Sequence, residues 1–97
     1  MIVDHHDPTP KYLQIARIIR DQIRAGELEP LDAIPSESRL VQIHGVARET
    51  ARDAIKVLRE EGWIYTIQAR GSYVSPAANW PQEDSDRSRD VADTQGE

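Results

Sequence analysis

Ninety-seven residues without a cysteine allow one small domain and exclude disulfides and thiolate metal sites. Apolar residues make up 38% and aromatic residues 5%, with no Phe, so Leu, Ile, Val and Ala must fill the core. The net charge is −5, no apolar run approaches the roughly 20 residues of a membrane span, and MIVDHHDPTP has no signal-peptide pattern, which makes a reducing cytosol the expected compartment.

The charge is unevenly spread. Residues 1–9 carry −2, residues 10–76 carry ten Lys/Arg against nine Asp/Glu for +1, and residues 77–97 carry −4, together the −5 of the chain. The acidity therefore belongs to the ends. A body at +1 attracts a polyanion only weakly by its total, so any such affinity must come from where the cations sit.

In chain order, residues 1–9 read as a flexible leader. Thr9 followed by Pro10 is a helix start, a hydroxyl cap and then proline in the first turn. Tyr12, Ile15, Ile18, Ile19 and Ile23 repeat at helical spacing and Gly26 is the expected stop. Residues 27–32, with Pro30, form a connector, and Ala33-Ile34 is a candidate for a very short strand. Ser36 caps a second helix that ends at His44 and is expected to bury Leu40, Val41 and Ile43. Gly45 supplies the positive φ of a sharp turn and Val46 plugs it into the core. A third helix, 47–61, turns Ala51, Ala54, Ile55 and Leu58 inward and stops at Gly62. Residues 63–68 read as a strand, 69–71 as a hairpin tip and 72–74 as the return strand. Pro76 is expected to close the domain, leaving 77–97 as an acidic disordered tail. Three helices and a two- or three-stranded antiparallel wing, mainly α with a small hairpin, are the order of a winged helix-turn-helix.

On the third helix Arg48, Arg52, Lys56 and Arg59 are spaced by four, four and three, a stripe expected opposite the apolar face. One reading is a solvated face whose cations pair with Glu49, Asp53, Glu60 and Glu61. The other is a nucleic-acid reading surface. Arg48, Glu49, Thr50 and Arg52 occupy the first turns after Gly45, where a helix-turn-helix reaches base edges, and arginine can grip guanine O6 and N7 with two hydrogen bonds. Arg70 beside Gly71 at the hairpin tip suits a wing that meets the flanking groove or phosphates.

Taken together, PKYLQIARIIRDQIRAGEL, IPSE, HGVARETAR, LREEGWI and QARGSYV, in that order over residues 10–75, resemble the N-terminal domain of the GntR family of bacterial transcriptional regulators. The resemblance implies binding of a double-stranded DNA operator, as a homodimer on DNA, with repression as the expected action and no cofactor. It implies contacts at Arg48, Thr50 and Arg52 and at the wing pair Arg70-Gly71. Glu49 stands where the family often has Thr. Where the family has PSER followed by an acid, this chain has PSES followed by Arg39, so Ser36, Ser38 and Arg39 are the candidate contacts of the second helix. Ala69 replaces the usual wing glycine. About twenty residues follow Pro76, too few for the effector-binding domain that such regulators carry, so a small-molecule effector is expected only if such a domain lies outside this sequence. The alternative is a winged helix that binds proteins without specific DNA recognition.

Other residues carry less. His5 and His6, flanked by Asp4 and Asp7, read as solvated rather than metal-binding. His44 reads as a helix C-terminal residue, Trp63 as packing, Trp80 as solvated, and Ser36 with Glu37 as capping. No constellation for catalysis is present.

Overall fold

The computed structural model describes residues 2–81. Helix α1 (Lys11–Arg24), α2 (Glu37–His44) and α3 (Arg48–Glu61) precede a hairpin of β1 (Ile64–Ile67) and β2 (Gly71–Val74), and a single 3₁₀ turn follows at Ala77–Asn79. The order matches the winged helix-turn-helix expected from the sequence.

Ile15, Ile19 and Ile23 of α1 and Ala51, Ala54, Ile55 and Leu58 of α3 share one core with Leu40, Val46, Ile64 and Val74. Ala51 and Ala54 are fully buried, and their small side chains let α1 and α3 approach closely. Each large aliphatic residue buried there contributes about 1.5–3 kcal/mol. In α2 the periodicity selects Leu40 and His44, four residues apart, as the inward pair. Ile43, expected inside, is 37% exposed instead, because it lies a roughly 100° step from His44 on an eight-residue helix with one narrow buried face.

The helix ends follow from local chemistry. Ser36 Oγ accepts the Arg39 N–H (3.1 Å) and caps α2. Gly45, at φ 65, ends α2 and turns the chain into α3. The start of α1 differs from expectation. Pro10 lies at the cap position, its carbonyl accepting from Leu13 N–H (3.1 Å) and Gln14 N–H (3.2 Å), and no side chain caps the helix. Thr9 is drawn elsewhere: its N–H donates to Asp7 Oδ1 (2.8 Å) and its carbonyl accepts from Gln14 Nε2 (2.9 Å).

The hairpin pairs Ile64 with Val74 and Tyr65 with Tyr73, whose rings stack at 5.8 Å. A two-stranded ribbon is marginal alone. Here residues 31–34 line its free edge: Leu31 N–H donates to the Val74 carbonyl (2.8 Å), Val74 N–H to the Asp32 carbonyl (2.8 Å), and Ala33 bridges Tyr73. The tip closes by Arg70 N–H on the Ile67 carbonyl (3.0 Å), and Ala69, the third residue of this turn, sits at φ 68. Glycine is favoured there, and a Cβ at positive φ costs about 1–2 kcal/mol.

Both flanks depart from the sequence-based expectation. The leader is packed. Val3 is 4% exposed and belongs to the core cluster. Its N–H donates to His44 Nδ1 (3.1 Å), and His5 Nε2 donates to the His44 carbonyl (2.9 Å). Asp4 N–H donates to Gln14 Oε1 (2.9 Å), and the buried Gln14 returns Nε2 to the Asp4 carbonyl (3.1 Å). Residues 2–9 thus strap the end of α2 to α1. At the other end the fold continues past Pro76. The Trp80 indole N–H donates to the Ser75 carbonyl (2.8 Å), and its ring lies 5.8 Å from the buried Trp63. Trp80, expected in solvent, is a partly buried part of the core. Gly62 is required for this: a Cβ there would lie 2.8 Å from the Asn79 carbonyl oxygen. The rest of the expected acidic tail, 82–97, lies outside the described residues.

Candidate nucleic-acid interface

Counting 100° per residue around α3 separates its charges. Arg48, Arg52, Lys56 and Arg59 fall within a strip beside the apolar face, while Glu49, Asp53 and Glu60 take the face opposite the core. The cation stripe is therefore a flank, and not the far side that i,i+4 spacing alone suggested. The charges do not neutralise each other. Among the described residues the one α3 acid in an ion pair is Glu61, 4.0 Å from Arg20 of α1. Lys56, Arg59 and Arg70 carry no ion pair there.

The flank borders an open cleft of about 470 Å³ between the start of α2, α3 and the wing. Arg48, Arg59 and Arg70 line it, with Ile55 and Ile67 as apolar floor and Glu37 as its only acid. Ser36 and Ser38 bring the N-terminal turn of α2 to the same cleft, where backbone N–H groups and the helix dipole favour an anion. On the wing side, Gly71 and Ser72 complete the wall, and Thr66 Oγ1 meets Ser72 Oγ at 2.9 Å across the hairpin. Three guanidiniums, a helix N-terminus and hydroxyls around one trough suit a strand of phosphates.

The structure brings together Ser36, Ser38, Arg48, Arg70 and Gly71 from the predicted set. Arg52 and Lys56 follow Arg48 along the same flank, outside the cleft. Thr50 does not join them. Two residues on from Arg48, it lies roughly 160° away around the helix and is half-buried. Glu49 is exposed on the acidic face, and Arg39 is exposed with its backbone N–H in the Ser36 cap and its side chain outside the cleft.

Two residues escaped sequence reasoning. Arg59 had a signal, being the last member of the stripe. Glu37 had none beyond capping, because its partners stand eleven and fifteen residues ahead. Glu37 Oε1 lies 3.5 Å from Arg48 Nη1 and Oε2 lies 3.5 Å from Arg52 Nε. Arg48 Nη2 also donates to Ser38 Oγ (3.2 Å).

The turn that aims α3 is braced by His44. Burial first, then the positive charges of the N-terminus and His5, hold its imidazole below the usual pKa of 6.5. A neutral ring is also what the hydrogen bond demands, since Nδ1 accepts from Val3. The Thr9 backbone N–H and hydroxyl hold the Asp7 carboxyl below its ordinary value. His5 on the His44 carbonyl and Asp7 on Thr9 are thus used by the fold. Among the described residues no group of three or more His, Cys, Asp or Glu is placed to hold a metal, and no helix is long and apolar enough to cross a membrane.

Residues 11–74 match the family model of bacterial regulatory proteins, gntR family. The mannosyl-D-glycerate transport/metabolism system repressor MngR of Escherichia coli K12 is 49% identical over 65 residues, which is 67% of this chain and 27% of that protein. The chain spans 18–31% of the length of the first curated relatives it matches. The DNA-binding domain of AraR, solved in complex with operator ORX1, superposes with a TM-score of 0.72 at 34% identity, covering 77% of this chain and 95% of that one. YtrA from Sulfolobus acidocaldarius, a GntR-family transcription factor, gives 0.71 at 38% identity over 76% of this chain and 78% of its own.

Proposed function

Because the chain belongs to the gntR family of bacterial regulatory proteins, we propose that it is the operator-reading unit of a transcriptional regulator. Helix α3 enters the major groove, the cleft holds the adjoining phosphate strand, and Arg70 on the wing takes the flanking groove or backbone. The observation that carries this reading is the meeting of three arginines, the α2 N-terminus and the wing around one trough beside the flank of α3. Such a surface gives local attraction to phosphate in a chain whose total charge is −5. The relatives named as repressors favour repression by occupancy of the operator. Two chains read a two-fold symmetric site, one half-site each. The reading is of a cytoplasmic binding protein and not of an enzyme, with any effector bound by a domain outside this sequence.

Selection from a pool of random duplexes tests it. The expected outcome is enrichment of one short motif and its inverted repeat, bound with an affinity that falls steeply with salt, the logarithmic slope being about −0.9 for each phosphate neutralised. A pool that stays random after selection contradicts it.

A further inference from the structure

Glu37 is the one carboxylate in a cleft built from cations, and its two oxygens point at two different arginines of α3. Its side chain is 32% exposed, against 58% for Arg48 and 61% for Arg52. If phosphate attraction were the whole task of this surface, an acid there would work against it. From this geometry, and resting on the operator-reading function above, we infer that Glu37 is a positioning residue that orients Arg52 as the reader of a guanine, at a cost in general attraction to DNA.

The reasoning lies in which nitrogens are used. Arg52 approaches Glu37 through Nε alone. Its Nη1 and Nη2, the parallel pair that fits guanine O6 and N7, carry no partner among the described residues. A contact made through Nε leaves the Nη pair available to a base edge. Arg48 is held the other way round. Its Nη1 reaches Glu37 and its Nη2 donates to Ser38 Oγ, so the fork that would grip a base faces α2. Two arginines four residues apart on one flank thus receive different roles from one carboxylate: Arg52 reads, and Arg48 ties α2 to α3 and adds positive charge to the phosphate trough. Glu37 itself is fixed in the first turn of α2, where the helix dipole stabilises a carboxylate and Ser36 caps the backbone. Holding Arg52 in advance reduces the side-chain entropy lost on binding.

A carboxylate that only braced the fold and one that orients a reader differ in what their removal does to selectivity. Glu37→Gln keeps the size and loses the charge. Its affinity for random duplex should rise about two- to threefold at low salt, since a repelling charge is gone. Its preference for the selected duplex over random duplex should fall roughly tenfold, the loss of one well-oriented bidentate contact. Glu37→Asp keeps the charge and shortens the reach. It should lose selectivity as Glu37→Gln does, with a smaller gain in random-duplex affinity than Glu37→Gln shows, since the charge remains. In an Arg52→Ala background, Glu37→Gln should cause no further loss of selectivity, because the residue it acts through is gone. Thermal melting of each variant is followed alongside, and a melting temperature close to that of the parent chain is expected for an ion pair at the surface. Equal weakening on selected and random duplexes, or the same loss of selectivity with and without Arg52, overturns the inference alone. A parent chain that prefers no duplex overturns the operator-reading function and this inference with it.

Discussion

Helices α1 and α3 are each fourteen residues long, each buries a stripe of aliphatic side chains against the other, and each carries four cations. By charge alone α1 would be the better partner for DNA: within the helix Lys11, Arg17, Arg20 and Arg24 are set against the single acid Asp21, a net +3, whereas the four acids of α3 equal its four cations in number. Yet the trough that suits phosphates lies on α3. The difference is in the surroundings. On α3 three of the four acids occupy the outer face and the cations one flank, and that flank meets the start of α2 and the wing. On α1 the neighbours are acidic instead: Asp4 and Asp7 of the leader share a cleft with Arg17 and Asp21. Placement of charge, set by the turn at Gly45 and the hairpin after Gly62, decides what the total conceals.

The likeness of the two inner faces should produce the largest effects. Ile19→Ala and Leu58→Ala each remove a fully buried aliphatic side chain and should each lower stability by about 2–5 kcal/mol in urea unfolding. Unequal costs, with one below about 1 kcal/mol, would mean that the two helices do not share a core equally.

The outer faces should separate sharply. Arg52→Ala is expected to weaken binding to the selected duplex by about 1–3 kcal/mol, and to relax sequence preference at one position. Arg17→Ala, on the exposed side of α1, should change affinity by less than about 0.5 kcal/mol. Fluorescence anisotropy on one labelled duplex measures both, and equal losses would break the distinction between the helices.

Much of this was legible in the sequence. Ser36, Gly45 and Gly62 mark their boundaries by local chemistry, and the apolar spacing of α1 and α3 names their buried faces. What was not legible depends on distant pairing. Val3 lies in a stretch that reads as polar leader, and it is ordered by His44, 41 residues away, and by a strap that Gln14 fastens from α1. Trp80 lies between Pro76 and an acidic run, and only the bare Gly62 lets its segment close over Trp63. The pairing of Glu37 with Arg48 and Arg52 exists only once α2 and α3 have been set against each other. In each case the partner lies beyond the reach of a helical period.

The strap gives a pH dependence that belongs to neither helix face. His44 is held neutral in the fold, with its pKa below 6.5, while in the unfolded chain it titrates at about 6.5. Below that pH the unfolded state binds a proton that the native state refuses. Stability therefore falls as the pH drops below about 6.5, at up to about 1.4 kcal/mol per pH unit, until the folded-state pKa is reached. Urea unfolding at a series of pH values should show the parent chain losing stability relative to His44→Gln over this interval. Parallel curves would mean that His44 is not held neutral.

The wing should give the smallest change. Ala69→Gly relieves the strain of a positive φ and returns part of the gain as unfolded-state entropy, leaving a stabilisation of about 0.5–1 kcal/mol. A higher melting temperature with unchanged DNA affinity is expected. A lower one would place the tip in a conformation that prefers alanine.

The most direct test of the central claim is the salt dependence of binding to the selected duplex for two double variants. Arg59→Ala with Arg70→Ala removes two cations that line the cleft. Lys11→Ala with Arg17→Ala removes two exposed cations from α1 and changes the net charge of the chain by the same amount. If placement governs the interaction, the first pair lowers the slope of log K against log salt by about two units, and the second leaves it within about half a unit of the parent. Equal reductions in slope from the two pairs would contradict the account, and would mean that total charge, and not the cleft beside α3, draws the chain to DNA.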